Sequence, residues 1–594
     1  MEATNLSKIK REKMISFLES LKTTNNDDES IRALNEIENQ LLEKKFGLVW
    51  EHHQERVDVE LGKNIPIFTE IKEKNIKNNN SNYNFLLEGD NLHSLYLLEK
   101  THYGKIDLIY IDPPYNTGED DFIYNDNIVN KEDLWRHSKW LSFMQRRLNI
   151  AYKLLKETGI IIISIDDNEQ AQLKLLCDEI FEDKNCIGIL PTIMNLKGNQ
   201  DQFGFAGSHE YTLIYAKDKS KCNINKFDID EEEINEQWKV DDIGYYKKGA
   251  PLRATGSESK RENRPFMFYP ILLKDSKLST ITENEFNNLY NKENKQFDDA
   301  FLNELISKYE NEGYEIILPF DGKDYGRWRW GFKKENIEKL SYDVIFSKTK
   351  TGYTLYKKQR PDIGDLPSKK PKTLLYKPEY SSGNGTNQLV EILGEKLFNN
   401  PKPKELIKDF VKLCSPSNGI ILDFFAGSGT TGQAVLEINN ENGSNRQFIL
   451  CTNNENKICE NVTYERLKTV ITGIKKDGSV YSNGISSNLK YYTTDWTQRK
   501  PEDYLLSNIL LLHIKEMIEL QNAIEIDNEK NVIIFNKDDF KQYISKEENY
   551  NKINHMWVNQ NIVFTAEELQ KLNRKGFKYI PKEFFGQELK EAAE

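Results

Sequence analysis

Ile106-Asp107-Leu108-Ile109-Tyr110-Ile111-Asp112-Pro113-Pro114-Tyr115-Asn116-Thr117-Gly118 is the stretch that decides the fold. An apolar run with little alternation stops at a double proline. Such a run suits a strand covered on both faces, the habit of a parallel sheet. The prolines cannot extend the ladder, so the chain turns at Asp112. Working outward, Phe85-Leu86-Leu87-Glu88-Gly89-Asp90 reads as strand and turn, and 91–100 as helix. Residues 140–155 read as helix, and Gly159-Ile160-Ile161-Ile162-Ile163-Ser164-Ile165 as another buried strand. Strands alternating with helices predict an α/β, doubly wound, mostly parallel sheet. Its site should lie at the carboxyl ends of the strands.

A second stretch has the same form: Ile420-Ile421-Leu422-Asp423-Phe424-Phe425-Ala426-Gly427-Ser428-Gly429-Thr430-Thr431. An apolar strand runs into a glycine turn that opens a helix over 431–438. Glycine there allows a tight turn and close approach of backbone to a ligand. The dinucleotide pattern GxGxxG is absent. The turn suits S-adenosyl-L-methionine (AdoMet): Phe425 can cover a sulfonium, and Asp423 can pair with an ammonium, directly or through water. The next strand, Gln447-Phe448-Ile449-Leu450-Cys451, ends at Thr452-Asn453-Asn454-Glu455, where a polar or acidic side chain is placed for ribose hydroxyls.

The Asp112-Pro113-Pro114-Tyr115 turn suits an exocyclic amine on a nucleobase. Asp112 can accept a hydrogen bond from one N–H and the Pro113 carbonyl from the other. Proline fixes φ and so pre-positions that carbonyl, and Tyr115 offers a face for an extruded base. Orientation and fixed dipoles then supply the catalysis, with no metal and no covalent intermediate. The plain alternative is a proline turn ending a core strand.

The whole chain sets bounds. At 594 residues it should hold several domains. The net charge of −12 means that nucleic acid must meet a local basic patch. The six cysteines form no CxxC pair and read as reduced core thiols. No stretch is apolar enough to span a bilayer and the start lacks a signal-peptide pattern, so a cytoplasmic protein is expected. Leu34, Ile37, Leu41 and Leu42 recur at helical spacing, and 72–84 reads as a linker. Between 201 and 375 the βα rhythm fades, and Lys247, Lys248, Arg253, Lys260, Arg261, Arg264 and Arg327-Trp328-Arg329-Trp330 interleave with aromatics. These residues are candidates for phosphate contacts and guanine readout. The alternatives are a solvated surface and, for the tryptophans, a core strand. His209 reads as active-site floor or as structural, and His52-His53 as surface. The expected domains are 1–80, an N-terminal helical extension; 81–200, the catalytic half; 201–375, the insert; 376–480, the half with the glycine turn; and 481–594, a C-terminal domain with a helix over 505–519 and a strand at Val532-Ile533-Ile534-Phe535.

With these residues the chain resembles a β-class DNA adenine-N6 methyltransferase. More narrowly, it resembles the modification (Mod) subunit of type III restriction–modification systems. The segments that carry this are residues 86–95, 109–118, 163–169, 326–331, 380–386 and Asn400-Pro401-Lys402-Pro403, with His209-Glu210-Tyr211, Arg264-Pro265 and the glycine turn. The resemblance covers roughly 45–500. It implies a circularly permuted, Rossmann-like methyltransferase sheet whose insert is a target-recognition domain. Asp112, Pro113, Pro114 and Tyr115 would hold a flipped adenine of double-stranded DNA. Asp423, Phe425, Gly427, Gly429 and Thr430 would hold AdoMet, with Asp90 near its adenine and Pro401, Lys402 and Pro403 closing the methionine end. In the family the ribose position is often acidic directly at the strand end. Here Asn453 and Asn454 precede Glu455, which leaves Asn454 and Glu455 both as candidates. The resemblance also implies a homodimer and a separate helicase–nuclease partner. The chain has no GxxxxGK[ST] loop of its own, and Glu70-Ile71-Lys72 lacks the upstream Pro-Asp of a nuclease motif. Two alternatives stay open. One is cytosine-N4 methylation, where serine is commoner in place of Asp112. The other is a subunit that chiefly positions a nuclease on DNA.

Overall fold

The computed structural model describes residues 6–24, 27–42, 50–78, 82–118, 123–124, 127–129, 131–198, 204–229, 231–349, 352–362, 365–498, 510–544 and 547–584. It divides into two compact units, Met1–Asn225 with Lys372–Glu594, and Lys226–Pro371.

The first unit is built on one sheet of strands β1 (Asn64–Glu70), β2 (Tyr83–Glu88), β3 (Ile106–Ile111), β4 (Leu155–Ile165), β5 (Cys186–Ile193), β6 (His209–Ala216), β7 (Ile420–Asp423), β8 (Gln447–Thr452) and β9 (Asn488–Gln498). Their order is β1-β9-β2-β8-β7-β3-β4-β6-β5. From β9 to β4 the neighbours are parallel. The outer pairs β1–β9, β4–β6 and β6–β5 are antiparallel. The central strands are the apolar runs of the sequence: every residue of β3 is buried. Each of its leucine and isoleucine side chains contributes about 1.5–3 kcal/mol. Successive residues point to opposite faces. Ile109 and Ile111 pack with Leu95, Leu98, Met144 and Leu148 from helices α1 (Asn91–His102) and α2 (Arg136–Leu154). Tyr110 meets the ring of Phe410 from helix α3 (Lys404–Cys414), 5.9 Å away, on the other face. The α/β, mostly parallel sheet is thus as expected. Among the described residues no helix is long and apolar enough to cross a membrane.

Several expected boundaries move. The insert begins at Lys226, not 201, because β6 pairs with β4 and β5. It ends at Pro371, and Leu375 already bridges Thr192 beside β5. Residues 1–80 are only partly a helical extension: after helices Leu6–Thr24, Asp28–Leu42 and Arg56–Leu61 comes β1, a sheet strand. Of the supposed linker 72–84, the described residues 72–78 are tied to β9, since the Ile76 N–H donates to the Leu489 carbonyl, as that of Ile71 just before them does to Tyr491; residues 79–81 lie outside the described residues. The segment after 481 does not start as a separate domain, for β9 lies inside the sheet. Its Lys490 is buried between Glu70 and Glu519, each 2.6 Å away. That pairing places Glu70 in a structural ion pair. Helix Ile514–Asn522 covers part of the expected 505–519, of which 505–509 lie outside the described residues. Beyond it, strands Asn531–Ile534, His555–Val558 and Phe577–Tyr579 form a small parallel sheet, with the first strand where expected.

The second unit contains antiparallel sheets around a core of Leu252, Phe268, Tyr269, Leu302 and Trp328. Trp328 is 2% exposed and its indole N–H donates to the Tyr269 carbonyl at 2.8 Å, so the core reading holds for that tryptophan.

Candidate active site

The sheet order brings the two motif-bearing strands together. Leu108 of β3 lies opposite Ile421 of β7, and Ile109 opposite Leu422. The turns after Ile111 and Asp423 therefore open side by side at the carboxyl ends of adjacent parallel strands.

The double-proline turn is held from outside. The Trp140 indole N–H donates to the Pro114 carbonyl at 2.7 Å. Asn116 takes φ +57° and donates from Nδ2 to Glu169 Oε1 at 2.5 Å. His137 Nδ1 lies 2.6 Å from the same oxygen. Burial pushes the Glu169 carboxyl up to about 8.

Inside the turn, four side chains converge. The Tyr115 hydroxyl lies within hydrogen-bond distance of Asp112 Oδ1 (2.9 Å) and Glu210 Oε2 (3.0 Å), and its one proton is shared between these two acceptors. Lys402 Nζ donates to Asp112 Oδ1 (2.9 Å) and to the Tyr115 oxygen (2.7 Å), and lies 3.4 Å from Glu210 Oε2. Burial works against the Lys402 charge, but Asp112 and Glu210 more than offset it and raise its pKa. Burial, then Asp112 and Glu210, hold the Tyr115 phenol well above its usual range. Burial above all raises the Glu210 carboxyl, against the pull of Lys402.

The glycine turn is braced by buried polar groups. Asp423 accepts from the Phe425 N–H (3.0 Å) and the Thr431 hydroxyl (2.5 Å). Both its oxygens thus serve the turn, and burial pushes its pKa up to about 7. Gly427 (φ +47°) and Gly429 (φ +78°) take left-handed conformations, and a β-carbon on either would come within 3.1 Å of Phe398 or Thr463. Gly429 caps helix α4 (Thr430–Asn442). Arg466, fully buried, donates to the Thr430 hydroxyl (2.7 Å), the Ser428 hydroxyl (3.0 Å) and Gln433 Oε1 (2.7 Å). The Thr430 hydroxyl in turn donates to the Lys402 carbonyl at 3.3 Å, tying this turn to Pro401-Lys402-Pro403.

The remaining candidates line the same edge. Asp90 caps α1 by accepting from the N–H groups of Leu92 (2.8 Å) and His93 (3.3 Å), and its side chain stays 44% exposed. Phe425 is half-buried, 5.8 Å from the Phe143 ring. Asn454 donates to Glu88 Oε1 at 2.7 Å, and Glu455 is exposed. Sequence reasoning missed Glu88, Arg466 and Glu210. Its attention at the β6 start went to His209, which is exposed, whereas Glu210 points inward. The alternation along β6 was the available signal. His52 is exposed, but His53 is tied in: its N–H donates to Ser142 Oγ at 3.0 Å.

The basic candidates of the second unit separate into kinds. Arg261 is a core residue: it is 9% exposed, forms a two-bond pair with Asp299 (2.6 and 2.8 Å) and lies over the rings of Phe268, Phe297 and Tyr325. That corrects its reading as a DNA contact. Arg327 and Arg329 donate to the carbonyls of Glu258 and Pro251. Arg253 and Lys260 face Asp321 and Asp324. Lys247 lies 4.8 Å from the centre of the Trp238 ring. Arg264 is 55% exposed, with Glu258 3.6 Å away.

An acidic double-proline turn thus lies beside a glycine turn at the carboxyl edge of a mostly parallel α/β sheet. Residues 106–462 match the DNA methylase family, and the chain belongs to that family, whose methyl donor is AdoMet. It is 41% identical to the EcoPI Mod subunit of Escherichia phage P1, a type III restriction–modification protein, over 64% of this chain and 59% of that one. The chain therefore spans about three fifths of that relative. It is 33% identical to the type II methyltransferase M.KpnI of Klebsiella pneumoniae, over 62% of this chain and 80% of that one. The crystal structure of the M1.HpyAVI–SAM complex aligns with 65% of this chain and 98% of its own, at 12% identity and a TM-score of 0.27.

Proposed function

We propose that this chain transfers a methyl group from AdoMet to the N6 amine of an adenine flipped out of duplex DNA. We further propose that it is the Mod subunit of a type III system, with Lys226–Pro371 reading the target sequence for itself and for a helicase–nuclease partner, and that it works as a homodimer. The observation that carries the reading is the adjacency of Asp112-Pro113-Pro114-Tyr115 to the glycine turn, within the stretch that matches the DNA methylase family. Aspartate rather than serine at 112 favours adenine over cytosine N4.

The residues fit AdoMet. The glycine turn holds positive φ at 427 and 429, where a side chain would be strained and would crowd Phe398 or Thr463, and the edge offers carboxylates at Glu88 and Asp90 and a ring at Phe425 for a cation bearing ribose hydroxyls. Bound there, AdoMet supplies a methyl group on a good leaving group. The chain's own residues do the rest. Asp112 accepts a hydrogen bond from the amine, which localises the nitrogen lone pair and aims it. Tyr115 stacks on the base, held in place by its bonds to Asp112 and Glu210. Asp112, whose side chain is 27% exposed, is the nearest base for the proton that the amine releases. Asp423 and Arg466 keep the glycine turn rigid, so most of the rate gain is orientation.

The test is to incubate the purified chain with AdoMet and unmethylated DNA of mixed sequence, and to quantify methylated nucleosides by mass spectrometry. N6-methyladenine is expected, and sequencing of the modified positions gives the target site. N4-methylcytosine would overturn the base assignment. No methylation by a chain that binds AdoMet would overturn the activity. Asp112→Ala should bind AdoMet yet lose at least about 10²-fold in rate.

A further inference from the structure

Arg147 lies behind the edge assigned to AdoMet. It projects from α2 and is wholly buried. Its Nε donates to Asn91 Oδ1 at 2.6 Å, and Asn91 Nδ2 donates to the Phe424 carbonyl at 2.8 Å. That carbonyl belongs to the peptide that joins Phe424 to Phe425. The guanidinium also lies 3.6 Å from the centre of the Phe143 ring, which backs Phe425 at 5.8 Å. Its Nη2 stands 3.7 Å from Asp90 Oδ1. One buried cation thus ties together two residues expected at the cofactor, Asp90 directly and Phe425 through its neighbours. Burying such a charge is costly unless it is paired. The pair comes from the N-terminal segment: Nη1 and Nη2 donate to Glu55 Oε1 (2.8 Å) and Oε2 (3.0 Å), and Glu55 is itself buried. Residues 53–58 are fastened to the same helix. The His53 N–H donates to Ser142 Oγ at 3.0 Å, Arg146 Nη2 donates to the His53 carbonyl at 2.8 Å, and Arg146 pairs with Asp58.

Resting on the AdoMet reading of this edge, we infer that Glu55 and Arg147 are positioning residues for AdoMet, and that the seating of the N-terminal segment on α2 is coupled to cofactor binding. Glu55 fixes the guanidinium. The guanidinium fixes Asn91 and the Phe143 ring, and these hold the Phe424–Phe425 peptide and the Phe425 ring. Glu55 therefore acts on the cofactor through Arg147. Coupling between sites is reciprocal: a segment that helps AdoMet to bind is itself held more firmly once AdoMet is bound. Lysine is no substitute at 147, because it offers a point charge in place of a planar fork that serves Glu55 and Asn91 together.

Calorimetry gives the Kd for AdoMet of wild type, Glu55→Gln, Arg147→Lys, Arg147→Met and the Glu55→Gln/Arg147→Met pair, and thermal melts give their stability. Glu55→Gln should weaken AdoMet binding at least about fivefold, the lower end of coupling between sites. Both Arg147 variants should weaken it at least as much. In the Arg147→Met background Glu55→Gln should add less than about twofold, because its route to the cofactor is gone. Hydrogen exchange supplies the reciprocal measurement: AdoMet should slow exchange across 50–61 in wild type, and should slow it less in Glu55→Gln. The wild-type exchange result stands even where Arg147→Met does not fold. A folded Glu55→Gln that melts at a lower temperature yet binds AdoMet as tightly as wild type has lost a purely structural ion pair, and this overturns the inference. So do equal losses from Glu55→Gln in both backgrounds, and exchange across 50–61 that AdoMet leaves unchanged. If wild type itself does not bind AdoMet, the cofactor reading fails and this inference with it. A wild type that binds AdoMet beside an unaffected Glu55→Gln sinks the coupling alone.

Discussion

Gly385 gives a remote handle on the site. It stands in helix Ser382–Leu393, and a β-carbon there would lie 2.1 Å from the carbonyl oxygen of Pro401 and 2.9 Å from the carbonyl carbon of Lys402. An ordinary carbon–oxygen contact is about 3.3 Å, so alanine is short of room by about 1 Å. Both neighbours are backbone atoms, and no side-chain rotation can relieve the clash. The Pro401-Lys402-Pro403 segment has to move, and with it the Lys402 carbonyl that accepts from Thr430 of the glycine turn and the Lys402 ammonium bonded to Asp112 at 2.9 Å. A misplacement of about 1 Å costs about 10²-fold in rate, whereas overpacking costs about 1–3 kcal/mol of stability. Gly385→Ala is therefore expected to lose about 100-fold in kcat/KM while remaining folded. Gly383 supplies the control. It lies in the same helix, but its added β-carbon would come no nearer than 3.8 Å to Ser381 Oγ, so Gly383→Ala should be as active as wild type. Initial methylation rates and thermal melts of the two variants, side by side, decide the matter. If Gly385→Ala methylates as fast as Gly383→Ala, the segment is not the rigid support described here.

Two further outcomes concern Asp423 and the basic residues. Burial pushes Asp423 up to about 7 from an ordinary value of 3.8, so the folded chain prefers its neutral form. The associated stability is fully present below pH 3.8 and is lost as pH rises through 7. Asp423→Asn should remove that part of the pH dependence, so its melting temperature should fall less than that of wild type between pH 5 and pH 8; equal falls would contradict the burial argument. In the second unit, Arg261→Ala should cost about 2 kcal/mol of stability through its lost packing and ion pair. Arg264→Ala should leave stability unchanged and reduce the slope of log affinity against log salt for DNA by about 1. A salt-slope change confined to Arg261→Ala would reverse these assignments.

The central sheet and both turns were legible because parallel strands covered on two faces leave unbroken apolar runs, and because proline and glycine mark where those runs end. Such runs carry no information about strands with one polar face. Asn64–Glu70 and Asn488–Gln498 bring polar residues into the sheet, and Lys490 is tolerated there only because Glu70 and Glu519 flank it. No local pattern announces a three-way ion pair across such distances in the chain. The same limit hid Glu210, whose partners Tyr115 and Lys402 come from two other parts of the sequence. It also misled at Arg261, where an arginine among aromatics read as an exposed DNA contact and proved to be buried against those rings. Charge type is visible in a sequence, but the partner that fixes its role is not.

The register of Leu108 with Ile421 also sets a timetable. On the ribosome, β3 is complete roughly 300 residues before β7 is made, which at about 5–20 residues per second is a wait of ~15–60 s. During that interval β3 can pair with β4 on one side, while the other edge of this largely apolar strand lacks its final neighbour. An open, apolar edge invites pairing with foreign chains. The nascent chain thus carries a period of vulnerability that its finished form conceals. The same timetable has a protective side: a prematurely terminated product that lacks β7 has the double-proline turn but not the glycine turn beside it, and has no complete site with which to modify anything.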